Sequence, residues 1–301
     1  MLAHALGCLE TLAGTDELAE LLDAATAAPR ARVIGLTGPP GVGKSTLAST
    51  LARTWRSGGE TIGVVAVDPS SSRSGGALLG DRARIGGDPG DAGLFIRSMA
   101  ARDRLGGLSE QAFAAVALMR ALFDRVIVET VGVGQSEGDV ALVADTLVLC
   151  AQPAAGDSLQ FMKAGLMELP DVVVVTKSDL GASARRTLAD IEGALSLCAP
   201  RDGSACAAVL LASAATGAGV AELAACIERL EAGAAANLAD RRCRQSRAWI
   251  EASLHAKFGS EGVASLGPLL CSHQEHEGPF TREARLTRTL RASLRNRPAS
   301  E

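Results

Sequence analysis

Short apolar runs alternate with longer stretches of helical periodicity along most of the chain. The runs are rich in Val, Ile, Leu and Ala and contain few polar residues, which is typical of strands covered on both faces. We predict seven strands, at residues 32–37, 62–68, 94–97, 125–130, 146–150, 172–176 and 208–211. Strands that alternate with helices predict an α/β fold, a three-layer α/β/α sandwich around a mostly parallel sheet.

The strand rhythm stops at the sequence EAGAAAN, residues 231–237. The residues that follow are Arg-rich, with apolar positions such as Trp249 and Phe258 at helical spacing. We therefore expect an N-terminal helical segment at residues 1–30, an α/β domain at 31–233 and a C-terminal helical extension at 234–301. The Gly- and Ser-rich stretch at 69–93 is a candidate mobile switch.

The first predicted strand is followed by GPPGVGKST, which matches the phosphate-binding motif G-x-x-x-x-G-K-[ST] in its expected place between a strand and a helix. Its glycines let backbone N–H groups surround a phosphate, and the helix N-terminus favours the same negative charge. We predict that Lys44 contacts the β- and γ-phosphates and that Ser45 binds Mg²⁺. The predicted nucleotide-binding residues of this P-loop are Gly38, Pro39, Pro40, Gly41, Val42, Gly43, Lys44, Ser45 and Thr46.

Two further motifs predict which purine base is bound. Thr176, Lys177 and Asp179 follow a strand in the pattern [NT]KxD, where the carboxylate can accept from both N1–H and N2–H₂ of guanine. The Lys177 stem is expected to stack on the ring. Ser213 and Ala214 follow the last strand as a second base-contacting loop. The sequence thus predicts GTP and GDP as ligands rather than ATP.

Acidic residues at strand ends are the candidates for the rest of the magnesium site. Asp68 and Glu129 end two predicted strands, and Asp81 lies in the long loop; carboxylate oxygens suit Mg²⁺, although solvated surface acids are an alternative for each. Gly132 could offer its N–H to the γ-phosphate. Lys44, Glu129 and Gly132 are our catalytic candidates.

Charge and composition exclude several classes of protein. The net charge of −4 and the pI near 5.7 provide no basic field for nucleic acid or anionic lipid, and no apolar run reaches the roughly 18 residues of a membrane span. The Arg-rich tract at 241–247 lacks aromatic residues and is interpreted as a solvated helix face. Seven cysteines without a CxxC pair indicate reduced thiols and a cytoplasmic location.

The sequences GPPGVGKST, VAVDPSSSRSGGALLGDRARI, VETVGVGQSE and AQPAAGDSLQFMKAGLMELPDVVVVTKSD, in this order, resemble the MeaB/ArgK GTPases of the SIMIBI branch. This family comprises chaperones of adenosylcobalamin-dependent acyl-CoA mutases. The resemblance covers residues 33–233 and implies GTP hydrolysis that gates cofactor loading of such a mutase, with methylmalonyl-CoA mutase as the default client. It also implies a homodimer built by the C-terminal helices, a switch at residues 155–163, and a Mg²⁺ shell of Ser45, Asp68, Asp81 and Glu129.

The chain departs from this family at two motifs. Thr176 stands where Asn is usual, and PAAGD replaces PGAGD at residues 153–157. Gln135 and Lys163 are candidates for orienting the attacking water.

Three other functions remain open. One is a nickel-delivery GTPase, for which Cys271, His273 and His276 would be the metal ligands. The others are a P-loop kinase and a scaffold that binds GTP without hydrolysing it.

Overall fold

The computed structural model describes residues 6, 7, 9, 11–68, 90–100, 108–130, 136–153, 169–197, 206–270 and 277–295. Contacts divide the chain into two compact units. The α/β unit is Arg30–Leu238, and the helical unit combines Met1–Pro29 with Ala239–Glu301. The division into three parts predicted above remains a prediction.

A seven-stranded sheet forms the centre of the α/β unit. Its strands are β1 (Arg32–Thr37), β2 (Ile62–Asp68), β3 (Leu94–Ala100), β4 (Arg125–Glu129), β5 (Thr146–Ala151), β6 (Val172–Val175) and β7 (Ala208–Leu211). Their order in the sheet is β3-β2-β4-β1-β5-β6-β7, and every neighbouring pair is parallel. The carboxyl ends of β1 and β4 are therefore adjacent, with Leu36 in register with Glu129.

Of the helices described between residues 16 and 233, the first belongs to the helical unit and the other five belong to the α/β unit. They are α1 (Asp16–Ala27), which belongs to the helical unit, then α2 (Lys44–Ser57), α3 (Glu110–Leu122), α4 (Ser136–Val140), α5 (Ala182–Leu197) and α6 (Val220–Gly233). The helical unit is completed by α7 (Leu238–Leu266), which is kinked at Gly259 (φ 69°, ψ 180°), and by α8 (Pro279–Arg295). Short 3₁₀ turns occur at Ser178–Leu180, Ala235–Asn237 and Gly267–Leu270.

Helices cover both faces of the sheet. On one face, β1, β2, β4, β5 and β6 contribute to an apolar core with α2 and α6. On the other face, β5 and β6 pack against α5. Gly35 and Gly63 allow close approach here, because an added Cβ would lie 2.7 Å from Val140 and 3.0 Å from Phe123. This double coverage explains the continuous apolar runs, and it confirms the predicted α/β/α sandwich.

A buried ion pair holds α6 against the amino edge of the sheet. Arg125, the first residue of β4, contacts Glu231 at 2.6 Å, and both side chains are almost fully buried. The guanidinium lies 4.6 Å from the centre of the Trp55 ring of α2, a cation–π contact. Burial raises the pKa of Glu231, against the lowering effect of Arg125. Loss of Arg125 would leave the buried Glu231 carboxylate without this cation, whereas loss of Glu231 would leave Arg125 its ion pair with Glu60.

Within the helical unit, α1 packs with α8. The carboxylate of Asp23 accepts from the backbone N–H of Phe280 at 2.9 Å and of Thr281 at 3.0 Å, and so caps the N-terminus of α8. Trp249 of α7 and Phe280 form an aromatic pair with ring centres 5.0 Å apart. In the described parts of the chain, no helix has the length and apolar character needed to span a membrane.

Candidate nucleotide-binding site

The P-loop adopts a backbone that only glycine tolerates at its first position. Gly38 has a φ of +132°, and a Cβ there would lie 2.2 Å from the backbone oxygen of Cys150 in β5. Gly41 and Gly43 also have positive φ values, and Gly43 is the N-cap of α2. These conformations let the loop turn tightly from β1 into α2.

Lys44 and Ser45 occupy the first turn of α2. Lys44 is 5% exposed, and its ammonium donates to the backbone oxygens of Gly38 at 2.7 Å and Pro39 at 2.9 Å. The Ser45 hydroxyl donates to Oε1 of Glu129 at 2.6 Å. The Lys44 ammonium therefore lies against the loop that is predicted to hold the phosphates.

Two of the four predicted magnesium ligands lie together. Ser45 bonds Glu129, which is 5% exposed at the end of β4. Asp68 ends β2, the neighbour of β4, so its backbone lies at the same sheet edge. A hydroxyl beside a buried carboxylate is an oxygen donor set that fits Mg²⁺. Asp81 and Gly132 lie outside the described residues.

Thr176 connects the base motif to the P-loop. Its buried hydroxyl lies 2.7 Å from the backbone oxygen of Val42 and 3.0 Å from that of Ala151. Its own N–H donates to the Ala151 oxygen at 2.8 Å. The Thr found here in place of Asn therefore still ties this motif to the phosphate loop and to the end of β5.

The other base-motif side chains lie at the same edge of the sheet. Lys177 reaches the backbone oxygen of Gly41 at 3.0 Å, which brings its stem beside the P-loop. The fully buried Ser213 donates to Oδ1 of Asp179 at 2.6 Å, and Ala214 packs against the apolar core. The second loop thus fixes the carboxylate that is predicted to bind guanine.

Cys150 lies beside the P-loop, since its backbone oxygen is next to the Gly38 position. Burial raises its pKa to about 12, the charge of Lys44 lowers it and that of Glu129 raises it. The group therefore stays a neutral thiol, and it is no nucleophile at neutral pH.

Sequence reasoning missed several residues of this site. Gln152 accepts from Lys177 at 3.1 Å, and Thr130 lies 3.3 Å from Thr37 between the ends of β4 and β1. No motif marks these positions. Only their place directly at or after a strand end could have indicated them.

Some predicted residues cannot be located. Gln135, Lys163, the switch at 155–163 and most of the loop at 69–93 lie outside the described residues. The same holds for Cys271, His273 and His276. Within the described ranges, no group of three or more His, Cys, Asp or Glu side chains could hold a metal ion.

Comparison with known proteins identifies the family. The family model described as "Methylmalonyl Co-A mutase-associated GTPase MeaB" matches residues 2–262. The chain belongs to the MeaB family of GTPases. The match extends beyond the 33–233 segment that carried the sequence resemblance, and it includes α1 and most of α7.

Two relatives and one solved structure show what else the chain is similar to. A Mycobacterium tuberculosis protein named "Probable GTPase" is 41% identical over 199 residues, 65% of this chain and 59% of that protein. The mouse "Methylmalonic aciduria type A homolog, mitochondrial" is 39% identical over 222 residues, 72% of this chain and 54% of that protein. A crystal structure titled "LAO/AO transport system kinase" has a TM-score of 0.65 at 26% identity, covering 98% of this chain and 93% of that one.

The chain spans about half the length of the first curated relatives that it matches. Family membership and the P-loop fold are therefore established for this MeaB chain, and its activity and partners are inferred below from its own site.

Proposed function

We propose that this protein binds GTP and hydrolyses it to GDP and phosphate. The observation that carries the proposal is the junction of two motifs in one pocket. Thr176 and Lys177 of the base motif bond the backbone oxygens of Val42 and Gly41 in the P-loop. A base selected by Asp179 would thus be linked to phosphates held by the P-loop amides.

Different residues of the pocket would stabilise charge, bind Mg²⁺ and orient the attacking water during hydrolysis. Lys44, the P-loop N–H groups and the N-terminus of α2 stabilise negative charge that develops on the transferred phosphoryl group. Ser45 and Glu129, with Asp68 and Asp81 as further predicted ligands, would hold Mg²⁺, which supplies positive charge at the phosphates. Water is the nucleophile. Gln135, Lys163 and the N–H of Gly132 remain candidates for orienting it and for contacting the γ-phosphate.

Guanine preference follows from the fixed orientation of Asp179. Ser213 holds one carboxylate oxygen, and a carboxylate in this position accepts from the two neighbouring donors of guanine, which adenine lacks. Calorimetry in magnesium buffer tests this part of the proposal: GDP and GTP should bind, and ATP should bind at least about 100-fold more weakly. Equal affinity for ATP and GTP would contradict it.

The proposed partner is an adenosylcobalamin-dependent acyl-CoA mutase, methylmalonyl-CoA mutase or a relative. The family description and the name of the mouse relative support this choice. In this role, GTP binding and hydrolysis gate cofactor loading of the mutase and protect it. Phosphate release should be slow for the protein alone and faster in the presence of the mutase. A rate of phosphate release that does not change as the cognate mutase is added would argue against this role.

Two further features belong to the same proposal. The C-terminal helices would form a homodimer, which sedimentation of the full chain can test. The cytoplasmic location is supported by the cysteines Cys150, Cys206, Cys226 and Cys243, all of which are free thiols.

A further inference from the structure

Two consecutive residues of the base motif make parallel connections. The Thr176 hydroxyl links a P-loop carbonyl to the end of β5. The Lys177 ammonium makes a similar link. It donates to the Gly41 oxygen of the P-loop at 3.0 Å and to Oε1 of Gln152 at 3.1 Å. Gln152 directly follows β5. The side chain of Lys177 is therefore held from both sides.

The backbone of Lys177 adopts an unfavourable left-handed conformation. Among the described residues, Lys177 is the one non-glycine residue with a positive φ, at 52°. This conformation is unfavourable for a side chain with a Cβ, and it persists only where the surroundings impose it. The flexible four-carbon stem loses rotamer freedom when its ammonium is fixed, and that freedom would otherwise be lost on ligand binding.

We propose that Gln152 is a positioning residue that holds the Lys177 stem in the orientation that contacts the purine ring. The inference rests on the proposed function, in which this pocket binds a guanine nucleotide. An amide oxygen suits the task, since it accepts a hydrogen bond from the ammonium. The face of the purine ring does not carry the N1–H and N2–H₂ groups that Asp179 is predicted to bind. Gln152 thus sets the affinity for purine nucleotides, and Asp179 sets the choice between them.

The test compares GDP with IDP, whose base lacks the 2-amino group. Gln152→Leu removes the acceptor oxygen at similar size. We expect the dissociation constants of GDP and IDP to rise by the same factor, about three- to tenfold, as for loss of one exposed hydrogen bond to a charged group. Gln152→Glu keeps an acceptor oxygen at the same reach and should retain more affinity. A change in the GDP-to-IDP ratio would overturn the proposal, as would equal losses for Gln152→Leu and Gln152→Glu.

A matched background separates positioning from a general loosening of the loop. Lys177→Met keeps the stem and removes the ammonium, so Gln152→Leu should have no further effect on GDP affinity in that background. A persistent loss in the double variant would mean that Gln152 acts by another route. If Gln152→Leu leaves the affinity of the otherwise unchanged protein intact, the proposal also fails.

Failure of the underlying function would look different. In that case the unaltered protein would bind neither GDP nor IDP, whichever residue occupies position 152. Thermal melting of each variant without nucleotide identifies any that are unfolded, and Gln152→Glu then provides the second measurement.

Discussion

Ser213 lies in a loop whose shape depends on two glycines with nearly the same backbone conformation. Gly217 has a φ of +80° and Gly219 a φ of +74°. A Cβ on Gly217 would meet nothing within 4 Å, whereas one on Gly219 would lie 2.0 Å from the backbone oxygen of Leu211. A side chain at either position would adopt an unfavourable left-handed conformation, but only a side chain at Gly219 would also clash with the backbone.

Alanine substitutions at the two glycines therefore separate strain from clash. Gly217→Ala should lower the free energy of unfolding by about 1–2 kcal/mol, the cost of a left-handed non-glycine residue. Gly219→Ala should cost about 1–3 kcal/mol more, because the end of β7 must move. Urea unfolding measures both, with Trp55 as the fluorophore in a Trp249→Phe background so that the signal comes from the α/β unit. Equal losses would show that the loop absorbs the clash.

At this scale, the sequence predicts residue types better than their contacts. The P-loop was recognisable because its glycines, lysine and serine occur at fixed spacing with a known physical role. Gln152 carried no such pattern. Its contact with Lys177 depends on where β5 ends relative to β6, a tertiary relation that local spacing does not encode.

At the scale of elements, Asp124 joins the amino ends of neighbouring strands. It precedes β4 and accepts from the backbone N–H and hydroxyl of Thr61, at 2.8 and 2.6 Å, before β2. Arg30, which precedes β1, donates to the other oxygen at 2.9 and 2.6 Å. These donors, Thr61 before Arg30, lower the pKa of Asp124 from 3.8 to about 2. The ionised carboxylate is thus the form that the fold stabilises.

Acid titration should reveal this contribution. Because the folded pKa is below the unfolded one, the stabilisation is fully present above about pH 4 and is lost as the pH falls towards 2. The Asp124 side chain is 30% exposed, so we expect Asp124→Asn to cost about 1–2 kcal/mol at pH 6 after solvent screening. The difference from the unaltered protein should shrink towards zero near pH 2. A difference independent of pH would contradict the assignment to ionisation.

Strand positions were predictable because burial on both faces leaves little but apolar residues in a strand. The predicted residues 62–68 and 208–211 match β2 and β7, while β3 extends to Ala100, three residues beyond its predicted end at 97. Arg97 and Ser98 interrupt the apolar run there. β3 pairs with β2 alone at the edge of the sheet, where polar residues are tolerated, and the pattern is correspondingly weaker.

At the scale of the whole chain, the order of strands and the composition of the units could not be read from the sequence. Every strand has a similar apolar run, so periodicity alone does not specify that β4 lies between β2 and β1. The helical unit joins the two ends of the chain, Met1–Pro29 with Ala239–Glu301. Sequence patterns describe neighbours along the chain, and this unit depends on contacts across more than 250 positions, such as Asp23 with Phe280.

Two aspartates of α1, Asp23 and Asp16, bond to α8 in different environments. Substituting each of them tests which interaction joins the N-terminal helix to the C-terminal one. Asp23 caps two backbone N–H groups of α8, and Gly278 leaves room for it, because a Cβ there would lie 2.2 Å from the carboxyl carbon. Asp16 pairs with Arg288, and both side chains are more than half exposed. A capping carboxylate contributes about 0.5–2 kcal/mol, whereas an exposed ion pair contributes about 0–1 kcal/mol.

Asp23→Ala should therefore speed amide hydrogen exchange in α1 and α8 by roughly two- to thirtyfold. This factor corresponds to the loss of about 0.5–2 kcal/mol of capping energy from the local opening of these helices. Asp16→Ala is the matched control, with a change below about fivefold. Hydrogen exchange with mass spectrometry reads both helices separately from the α/β unit, whose protection and GDP affinity should stay unchanged in both variants. Equal effects of the two substitutions would mean that charge rather than capping joins the ends. Loss of protection throughout the sheet would mean that the two units unfold as one.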